Sequence, residues 1–326
     1  MTRVKTILSS AFAIGIAACT TQPTATETAS FSPETTIGLL QTLSSDEMEG
    51  RGIGSEGSAK ARAMIIDRLE TLGIGPVGES FEYPFTYGPF RPPAEGEEPA
   101  PDKDAINVIA KIPGSSESDL AMVVTAHYDH VGIIDGEIYN GTDDNASGVV
   151  ATLAIAEHFA ANPPAYDVLL VFFDAEEDGF GGARDFIENP PVPLETMALN
   201  LNFDMVSRGD NGLLWASGTH HWPGLVPLVD DVAATAPVTL RRGFDTGNNR
   251  DDWTLLSDHR VFFQSGIPHI YFGVEDHPDY HTPRDDFELV DQDWFLGSVE
   301  TLIMVAETMD EDLDEIFAMR QAALQD

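Results

Sequence analysis

Five short clusters of acidic residues and histidines stand out in this chain because such side chains bind metal ions and move protons. The clusters are His127-Tyr128-Asp129, Asp143-Asp144-Asn145, Glu176-Glu177, Asp204 and Tyr280-His281. Imidazole nitrogens and carboxylate oxygens are common zinc ligands, and a glutamate that binds no metal can act as a base. Together the clusters supply ligands for two metal ions and one spare base, which predicts an enzyme.

The first cluster pairs a histidine with an acid two residues later. In a partly extended segment the side chains at i and i+2 share a face, so Asp129 can orient the imidazole of His127. A carboxylate in that position raises the basicity of a ligating histidine, which makes Asp129 a predicted supporting catalytic residue. A surface histidine beside an acid has the same pattern and is the alternative for this pair.

The second and third clusters contain adjacent acids. Asp143 and Asp144 precede a predicted helix, and a carboxylate has two oxygens that can bridge two cations. Capping of the helix is the alternative, but it accounts for only one of the two acids. Glu176 and Glu177 follow a predicted strand, where adjacent side chains point to opposite sides, so one can bind metal while the other faces water. A solvated acidic loop is the alternative for this pair.

The elements that position these clusters follow a strand, helix, strand order. The predicted strands cover 107–112, 120–126, 166–173, 198–203 and 267–272, and the predicted helices cover 34–45, 57–72, 146–159, 223–234 and 293–309. Three clusters directly follow apolar runs, and the carboxyl ends of strands are where open α/β sheets build their sites. The predicted fold class is α/β, with a mostly parallel mixed central sheet and helices on both faces.

Two loop segments need separate interpretation. Residues 52–57 match the dinucleotide fingerprint G-x-G-x-x-G, but the segment before them is polar and cannot be the buried strand that this motif requires. The segment is therefore predicted to be a turn between two helices. Residues 87–105 are rich in Pro, Gly and Glu and are predicted to form an exposed loop insertion.

The amino-terminal segment is predicted to direct export. Residues 1–18 combine basic Arg3 and Lys5 with an apolar run too short to span a bilayer, which is typical of a signal peptide. The small residues before Cys19 resemble the lipobox of bacterial lipoproteins, which implies acylation of Cys19 and a location in the bacterial periplasm or cell envelope. An ordinary secretory signal is the alternative. Residues 19–32 are a predicted flexible tether to a single catalytic domain over 33–326.

Composition excludes several classes of function. Cys19 is the only cysteine, so intrachain disulfides, thiolate metal sites and cysteine nucleophiles are excluded from the rest of the chain. The formal net charge of −38 repels nucleic acid, which predicts that nucleic acid is not a partner. The hydrophobic content of 42% is sufficient for a globular core.

The ordered series of motifs resembles the co-catalytic dizinc exopeptidases of the leucyl aminopeptidase and aminopeptidase Y type, to which glutamate carboxypeptidase and glutaminyl cyclase are related. The motifs are HYDH, TDDNASG, FFDAEE, NFDM, SDHRVFFQSGIPHIYFG and DYHTPRDD, and the resemblance covers about residues 34–310. It implies a zinc exopeptidase-like fold, a phosphorylase/hydrolase-like three-layer sandwich, with two Zn²⁺ per chain.

The same resemblance implies a role for each cluster residue. His127 and Asp204 would hold one zinc, Glu177 and His281 would hold the other, and Asp144 would bridge them. Glu176 would be the general base and Tyr280 the oxyanion donor. Asp258 and His259 match a family segment near the site and are expected to lie beside it. His130, His269 and His277 are predicted to be packing or loop residues.

The implied reaction is removal of the amino-terminal residue from peptides with a free amino terminus. A carboxypeptidase of the same family is one alternative, and it would need a cationic pocket from Arg184, Arg208, Arg241, Arg242 or Arg250. A glutaminyl cyclase would use one zinc and would not need the pair formed by His127 and Asp204. A non-catalytic ectodomain of the same fold is the third alternative, and its usual sign is a missing ligand or base.

Overall fold

The computed structural model describes residues 31–90, 101–246 and 251–324. The predicted signal peptide, Cys19 and most of the predicted tether lie outside these described residues. The described helices are α1 (Pro33–Leu43), α2 (Glu56–Thr71), α3 (Gly148–Ala161), α4 (Gly181–Glu188), α5 (Val226–Ala233), α6 (His259–Gln264), α7 (Gln292–Glu311) and α8 (Leu313–Ala323). Within the described ranges, no helix combines the length and the apolar character needed to cross a membrane.

The described strands form one large sheet and one small hairpin. The strands are β1 (Gly75–Pro76), β2 (Glu82–Tyr87), β3 (Lys103–Ile112), β4 (Ala121–His127), β5 (Gly132–Ile134), β6 (Glu137–Tyr139), β7 (Asp167–Phe173), β8 (Met197–Phe203), β9 (Leu213–Ser217), β10 (Thr239–Arg242) and β11 (His269–Gly273). The large sheet has the order β1-β3-β7-β4-β8-β11-β9-β10, with β2 also paired to β3, and β5 pairs with β6.

The centre of the large sheet is parallel and its flanks are mixed. Strand β4 runs parallel to both β7 and β8, and β8 runs parallel to β11. Strand β3 pairs antiparallel with β7, and β9 pairs antiparallel with β11. The predicted α/β class with a mostly parallel mixed central sheet is confirmed.

Both faces of the central strands are buried, which explains their unbroken apolar sequences. Along β4, Met122, Val124 and Ala126 belong to one hydrophobic core, while Ala121 and Val123 belong to the other. Helices α3 and α7 contribute to the first core, and α4 and α6 contribute to the second. Helix α3 is apolar on nearly every side because it lies between the sheet and helices α1 and α7. The sheet is therefore covered by helices on both faces.

Strands occupy the ends of the predicted loop insertion and one segment for which no element was predicted. The predicted loop over 87–105 is shorter, because β2 ends at Tyr87 and β3 begins at Lys103. Residues 91–100 of that prediction lie outside the described residues. The segment containing Arg241 and Arg242 forms strand β10, in which only Leu240 is buried. Strands at the edge of a sheet bury few side chains, so their apolar pattern is weak.

Candidate metal centre

The predicted site residues meet at the carboxyl ends of the three central parallel strands. His127 is the last residue of β4 and pairs in register with Phe173, the last residue of β7. Glu176 and Glu177 follow β7 by three and four residues, and Asp204 directly follows β8. Since these strands are parallel neighbours, their carboxyl ends bring the clusters to one edge of the sheet.

The inner cluster consists of His127, Asp144 and Asp204, all buried. Nε2 of His127 lies 3.3 Å from Oδ1 of Asp144 and 3.3 Å from Oδ1 of Asp204. Zinc binds nitrogen and oxygen ligands at about 2.0–2.2 Å in tetrahedral sites, so its ligand atoms are about 3.4 Å apart. The spacing of these three ligand atoms fits a zinc ion.

The outer cluster consists of His130, Glu177, His281 and the shared Asp144. Nε2 of His281 lies 2.9 Å from Oδ2 of Asp144 and 3.2 Å from Oε2 of Glu177. The side chain of His281 is 39% exposed, whereas that of His127 is 1% exposed. The outer cluster is therefore the one that faces solvent.

Asp144 contacts the two clusters with different oxygens, Oδ1 on the inner side and Oδ2 on the outer side. Its position is held by Asp285, whose carboxylate accepts the backbone N–H groups of Asp143 and Asp144 at 3.0–3.1 Å. Gly148, the first residue of α3, lies against the last residue of β8. A Cβ at this position would lie 2.3 Å from the carbonyl oxygen of Phe203. A glycine is needed at that point for the start of α3 to pack against the end of β8.

The electrostatics of both clusters favour bound positive charge. Burial opposes protonation of His127, but Asp204 and Glu176 outweigh it and raise its pKa well above the ordinary value. Burial likewise lowers the pKa of His281, but hydrogen bonds with Asp144 and Glu177 raise it to about 10. Nitrogen and carboxylate ligands without sulfur suit zinc, and its charge would replace those protons. The residues present therefore fit two zinc ions.

Asp129 holds the loop that carries the two glutamates. Its carboxylate accepts the backbone N–H groups of Glu176 at 3.1 Å and Glu177 at 3.3 Å. Nδ1 of His127 is 3.1 Å from the carbonyl oxygen of Asp129 and 3.6 Å from its carboxylate. The carbonyl oxygen of Asp129, not its carboxylate as predicted, makes the shorter contact with the imidazole of His127. The carboxylate instead holds the backbone of Glu176 and Glu177.

Glu176 lies beside the clusters without belonging to either group of ligand atoms. It lines a cavity of about 180 Å³ together with Asp144, Asp204 and Tyr280. Burial raises the pKa of Glu176 well above its ordinary value, with contributions from Asp258 and Asp204, although His127 acts in the opposite direction. A carboxylate with a raised pKa at the wall of a cavity is suited to accept and return a proton.

The cavity combines acidic groups with an apolar wall. Its other lining residues are Met205, Trp253, Leu256, Tyr271, Val274 and Asp276. Trp253 is held by a stacked contact with Phe244, with ring centroids 4.0 Å apart. Among the described residues that line this cavity there is no lysine or arginine.

Tyr280 stacks on the ring of His281, with centroids 3.9 Å apart. Burial, reinforced by the carboxylates of Asp144 and Asp204, raises the pKa of Tyr280 above its ordinary value. The hydroxyl therefore keeps its proton at neutral pH. A protonated phenol at the rim of the cavity can donate a hydrogen bond to a reacting oxygen.

Asp258 and three further histidines, His259, His269 and His277, are buried. Nε2 of His277 lies 3.3 Å from Oδ2 of Asp143, behind the bridging aspartate. The rings of His259 and His269 stack on each other, with centroids 5.6 Å apart. His269 is the first residue of β11, at the opposite end of the strand from the site, and the ring of His259 also packs on Tyr271 of the cavity wall. Asp258 is buried, and neither of its carboxylate oxygens has a hydrogen-bond partner among the described residues.

Arg51 supports the site, although no motif in its local sequence indicates this role. It is fully buried, and its guanidinium donates to the carbonyl oxygens of Tyr128 at 2.8 Å, Leu43 at 2.9 Å, Asn140 at 2.6 Å and Gly141 at 2.7 Å. Burial lowers its pKa to about 10, so it remains charged at neutral pH. Arg51 thereby connects the segments that carry the first two clusters.

The arginines considered for a carboxylate pocket have other contacts. Arg208 pairs with Asp210 and Asp279, Arg242 pairs with Asp230, Arg184 lies over the ring of Phe90, and Arg241 is exposed on β10. Arg250 lies outside the described residues. None of the described four lines the 180 Å³ cavity.

Comparison with known sequences gives a family match and several relatives. The profile described as Peptidase family M28 matches residues 107–306, more than half of the chain. "Probable glutamate carboxypeptidase AMP1" from Arabidopsis thaliana is 32% identical over 211 residues, 60% of this chain and 28% of that protein. Aminopeptidase YwaD from Bacillus subtilis is 28% identical over 181 residues, 52% of this chain and 37% of that protein. The chain thus spans well under half the length of these curated relatives.

Solved structures show a similar fold. A glutaminyl cyclase from Porphyromonas gingivalis gives a TM-score of 0.65 at 20% identity, covering 85% of this chain and 98% of its own. A leucine aminopeptidase precursor from Bacteroides thetaiotaomicron gives a TM-score of 0.65 at 19% identity, covering 84% of this chain and 96% of its own. At these identities the similarity concerns the fold.

Proposed function

The chain belongs to Peptidase family M28, and on that premise we propose that it is a dizinc aminopeptidase. Its substrates would be peptides with a free amino terminus, from which it removes the first residue. The proposal is supported by two sets of ligand atoms that share Asp144 and by an additional glutamate, Glu176, beside them. No member of the implied ligand set or the base is missing, which argues against a non-catalytic ectodomain.

The negative charge of the residues that line the 180 Å³ cavity is the observation that favours an aminopeptidase. Asp144 and Asp204 line it as implied zinc ligands, whose charge bound zinc would offset, and the carboxylates of Glu176 and Asp276 add negative charge. Its described lining residues include no cation. An α-ammonium group is attracted to such a cavity, whereas a terminal carboxylate is repelled. The wall formed by Met205 and Trp253 suits an uncharged side chain of the first residue.

A second cavity of about 490 Å³ is lined by Glu177, His130 and Lys103. A carboxypeptidase would need such a cation for the terminal carboxylate of its substrate. The ammonium of Lys103 is already paired with the carboxylate of Asp178 at 2.6 Å. This ion pair favours the aminopeptidase over the carboxypeptidase.

The reaction assigns a distinct task to each residue. Bound zinc supplies a Lewis acid that polarises the scissile carbonyl and lowers the pKa of water. Glu176 accepts the proton of the attacking water and then passes it to the leaving amine. The hydroxyl of Tyr280 donates to the oxygen of the tetrahedral intermediate. Asp129 keeps Glu176 in place by accepting its backbone N–H.

The proposed function is tested with four substrate types: amino-acid arylamides, their amino-terminally blocked analogues, amino-terminally blocked dipeptides with a free carboxyl terminus, and a peptide with amino-terminal glutamine. Each is assayed before and after chelation and zinc restoration. We expect hydrolysis of the free-amine substrates only, loss of activity with chelator and recovery with zinc. Hydrolysis confined to blocked substrates with a free carboxyl terminus would assign a carboxypeptidase. Release of ammonia from amino-terminal glutamine would assign a glutaminyl cyclase.

We also propose that the protein is exported and anchored through acylated Cys19. The support is the sequence of residues 1–19 alone, with its basic start, short apolar run and small residues before the cysteine. Incorporation of labelled palmitate into the wild type but not into Cys19→Ser would support the anchor. Equal labelling, or a soluble wild type with an uncut amino terminus, would contradict it.

A further inference from the structure

His130 is a buried histidine of the outer cluster to which the proposed reaction assigns no role. Its side chain has no exposed surface, and its ring packs edge-on against that of His281, with centroids 5.6 Å apart. Gly141 makes room for this ring, because a Cβ at Gly141 would lie 2.4 Å from Cδ2 of His130. The ring is therefore held in one place by its surroundings.

The contact of His130 with Glu177 has the length of a hydrogen bond. Nδ1 of His130 lies 2.6 Å from Oε1 of Glu177, and it is 3.7 Å from Oδ2 of Asp144. Two ligands of one tetrahedral zinc ion are about 3.4 Å apart, so the pair at 2.6 Å is too close for both atoms to bind the same ion. The short distance fits an N–H donor on a carboxylate oxygen.

The two oxygens of Glu177 therefore have separate partners. Oε1 accepts the hydrogen bond from His130, and Oε2 lies 3.2 Å from Nε2 of His281. A carboxylate held by one oxygen presents only the other to an ion. One-oxygen binding leaves a coordination place for water, which two-oxygen binding would occupy.

We propose that His130 is a positioning residue that donates from Nδ1 to Oε1 of Glu177 and restricts this carboxylate to metal binding through Oε2. The inference rests on the proposed function, since it requires a metal ion in the outer cluster. His130 acts through Glu177 and does not itself bind the ion. Residues that hold a ligand in this way typically change metal affinity by about 10–100-fold when they are replaced.

The test compares the wild type with His130→Asn, His130→Phe and a control, His269→Phe, which removes a buried histidine away from the site. Asn places an amide N–H close to the position of Nδ1 but offers no nitrogen lone pair to an ion. Each metal-free protein is titrated with Co²⁺, and the number of ions, both dissociation constants and the visible absorption spectrum are measured. Circular dichroism establishes that each variant is folded.

We expect His130→Phe to weaken one of the two Co²⁺ ions by about 10–100-fold while the other stays bound. His130→Asn should stay within a few-fold of the wild type and keep its spectrum, and the control should match the wild type. An Asn variant as weak as the Phe variant, with an altered spectrum, would make His130 a ligand and overturn the inference. Equal binding by all four proteins would also overturn it.

Failure of the proposed function would be visible separately in the same titration. A wild type that binds fewer than two Co²⁺ ions would contradict the two-metal proposal, and the inference about His130 would fail with it. A wild type that binds two ions and hydrolyses free-amine arylamides, together with an unaffected His130→Phe, would contradict the His130 inference alone.

Discussion

Two groups of three histidines in this protein have opposite electrostatic environments. In the first group, His127, His130 and His281, the ring nitrogens lie 2.6–3.3 Å from carboxylate oxygens. In the second group, formed by His221, His259 and His269, the side chains of His259 and His221 contact a backbone carbonyl and a threonine hydroxyl. Only the first group lies beside acids that can share a metal ion.

The pKa shifts of the two groups show the consequence. Carboxylates outweigh burial at His127 and His281, whose pKa values are raised. Burial and neighbouring histidines lower the pKa of His259 to about 3 and of His269 to about 4. Histidine clustering alone therefore does not make a metal site, because the carboxylates decide whether positive charge is stabilised there.

The largest expected effect comes from breaking the carboxylate that connects the first group. In Asp144→Asn only one side-chain oxygen remains, so the residue cannot bridge two cations. We expect metal content after dialysis to fall at both positions and hydrolysis of arylamides to be abolished. Elemental analysis of the variant, with His269→Phe as a control from the second group, provides the measurement. Two ions retained in Asp144→Asn would contradict the bridging role.

A smaller loss of activity is expected when Glu176, which lies beside the first group of histidines but outside both sets of ligand atoms, loses its charge. Glu176→Gln preserves shape but cannot accept a proton, so kcat should fall by about 10²–10⁴-fold. Both metal ions should remain, because Glu176 is outside both sets of ligand atoms. Metal content and kcat are measured on the same preparation. Full activity in Glu176→Gln would show that another group moves the proton.

The smallest expected effect is a change in the pH dependence of stability when His269, a histidine of the second group, is replaced. The folded-state pKa of His269 is lowered, so its contribution to stability is present above the unfolded value of 6.5 and is lost as pH falls toward about 4. In His269→Phe this loss is absent. Between pH 7.5 and 5.5 the variant should lose about 1 kcal/mol less unfolding free energy than the wild type.

Urea denaturation at several pH values measures this difference, and the exposed His220→Gln serves as the control. Parallel pH profiles for His269→Phe and the wild type would show that His269 does not stay neutral in the folded protein. Such a result would remove the contrast between the two groups of histidines.

The central strands were predictable because their apolar runs are long and buried on both faces. Strands 120–126, 166–173 and 198–203 were predicted to within one residue at each end of β4, β7 and β8. Helices α4 and α6 have only eight and six residues, and β9 is a five-residue strand with partly buried positions. Elements this short contain too few turns or alternations for a periodic signal.

Most of the candidate ligands were predictable because they lie near the start or the end of a recognisable element, whereas His281 lies in a loop between β11 and α7 and was assigned by the family resemblance. His127 and Asp204, for example, lie at the ends of β4 and β8. The roles of His130 and Arg51 were not predictable in the same way. His130 contacts an acid 47 residues later, and Arg51 contacts carbonyls 77 to 90 residues later. Local sequence contains no information about such pairing until the chain is folded.

The position of Arg51 determines which residues a minimal folded fragment of this enzyme must contain. The family profile begins at residue 107, yet the guanidinium that ties Tyr128, Asn140 and Gly141 together comes from outside that boundary. A fragment cut at the profile's limits would leave these carbonyl groups without their donor and the two segments free to separate. The segment that carries Arg51 is thus a structural component of the candidate metal centre, and an engineered minimal domain must include it.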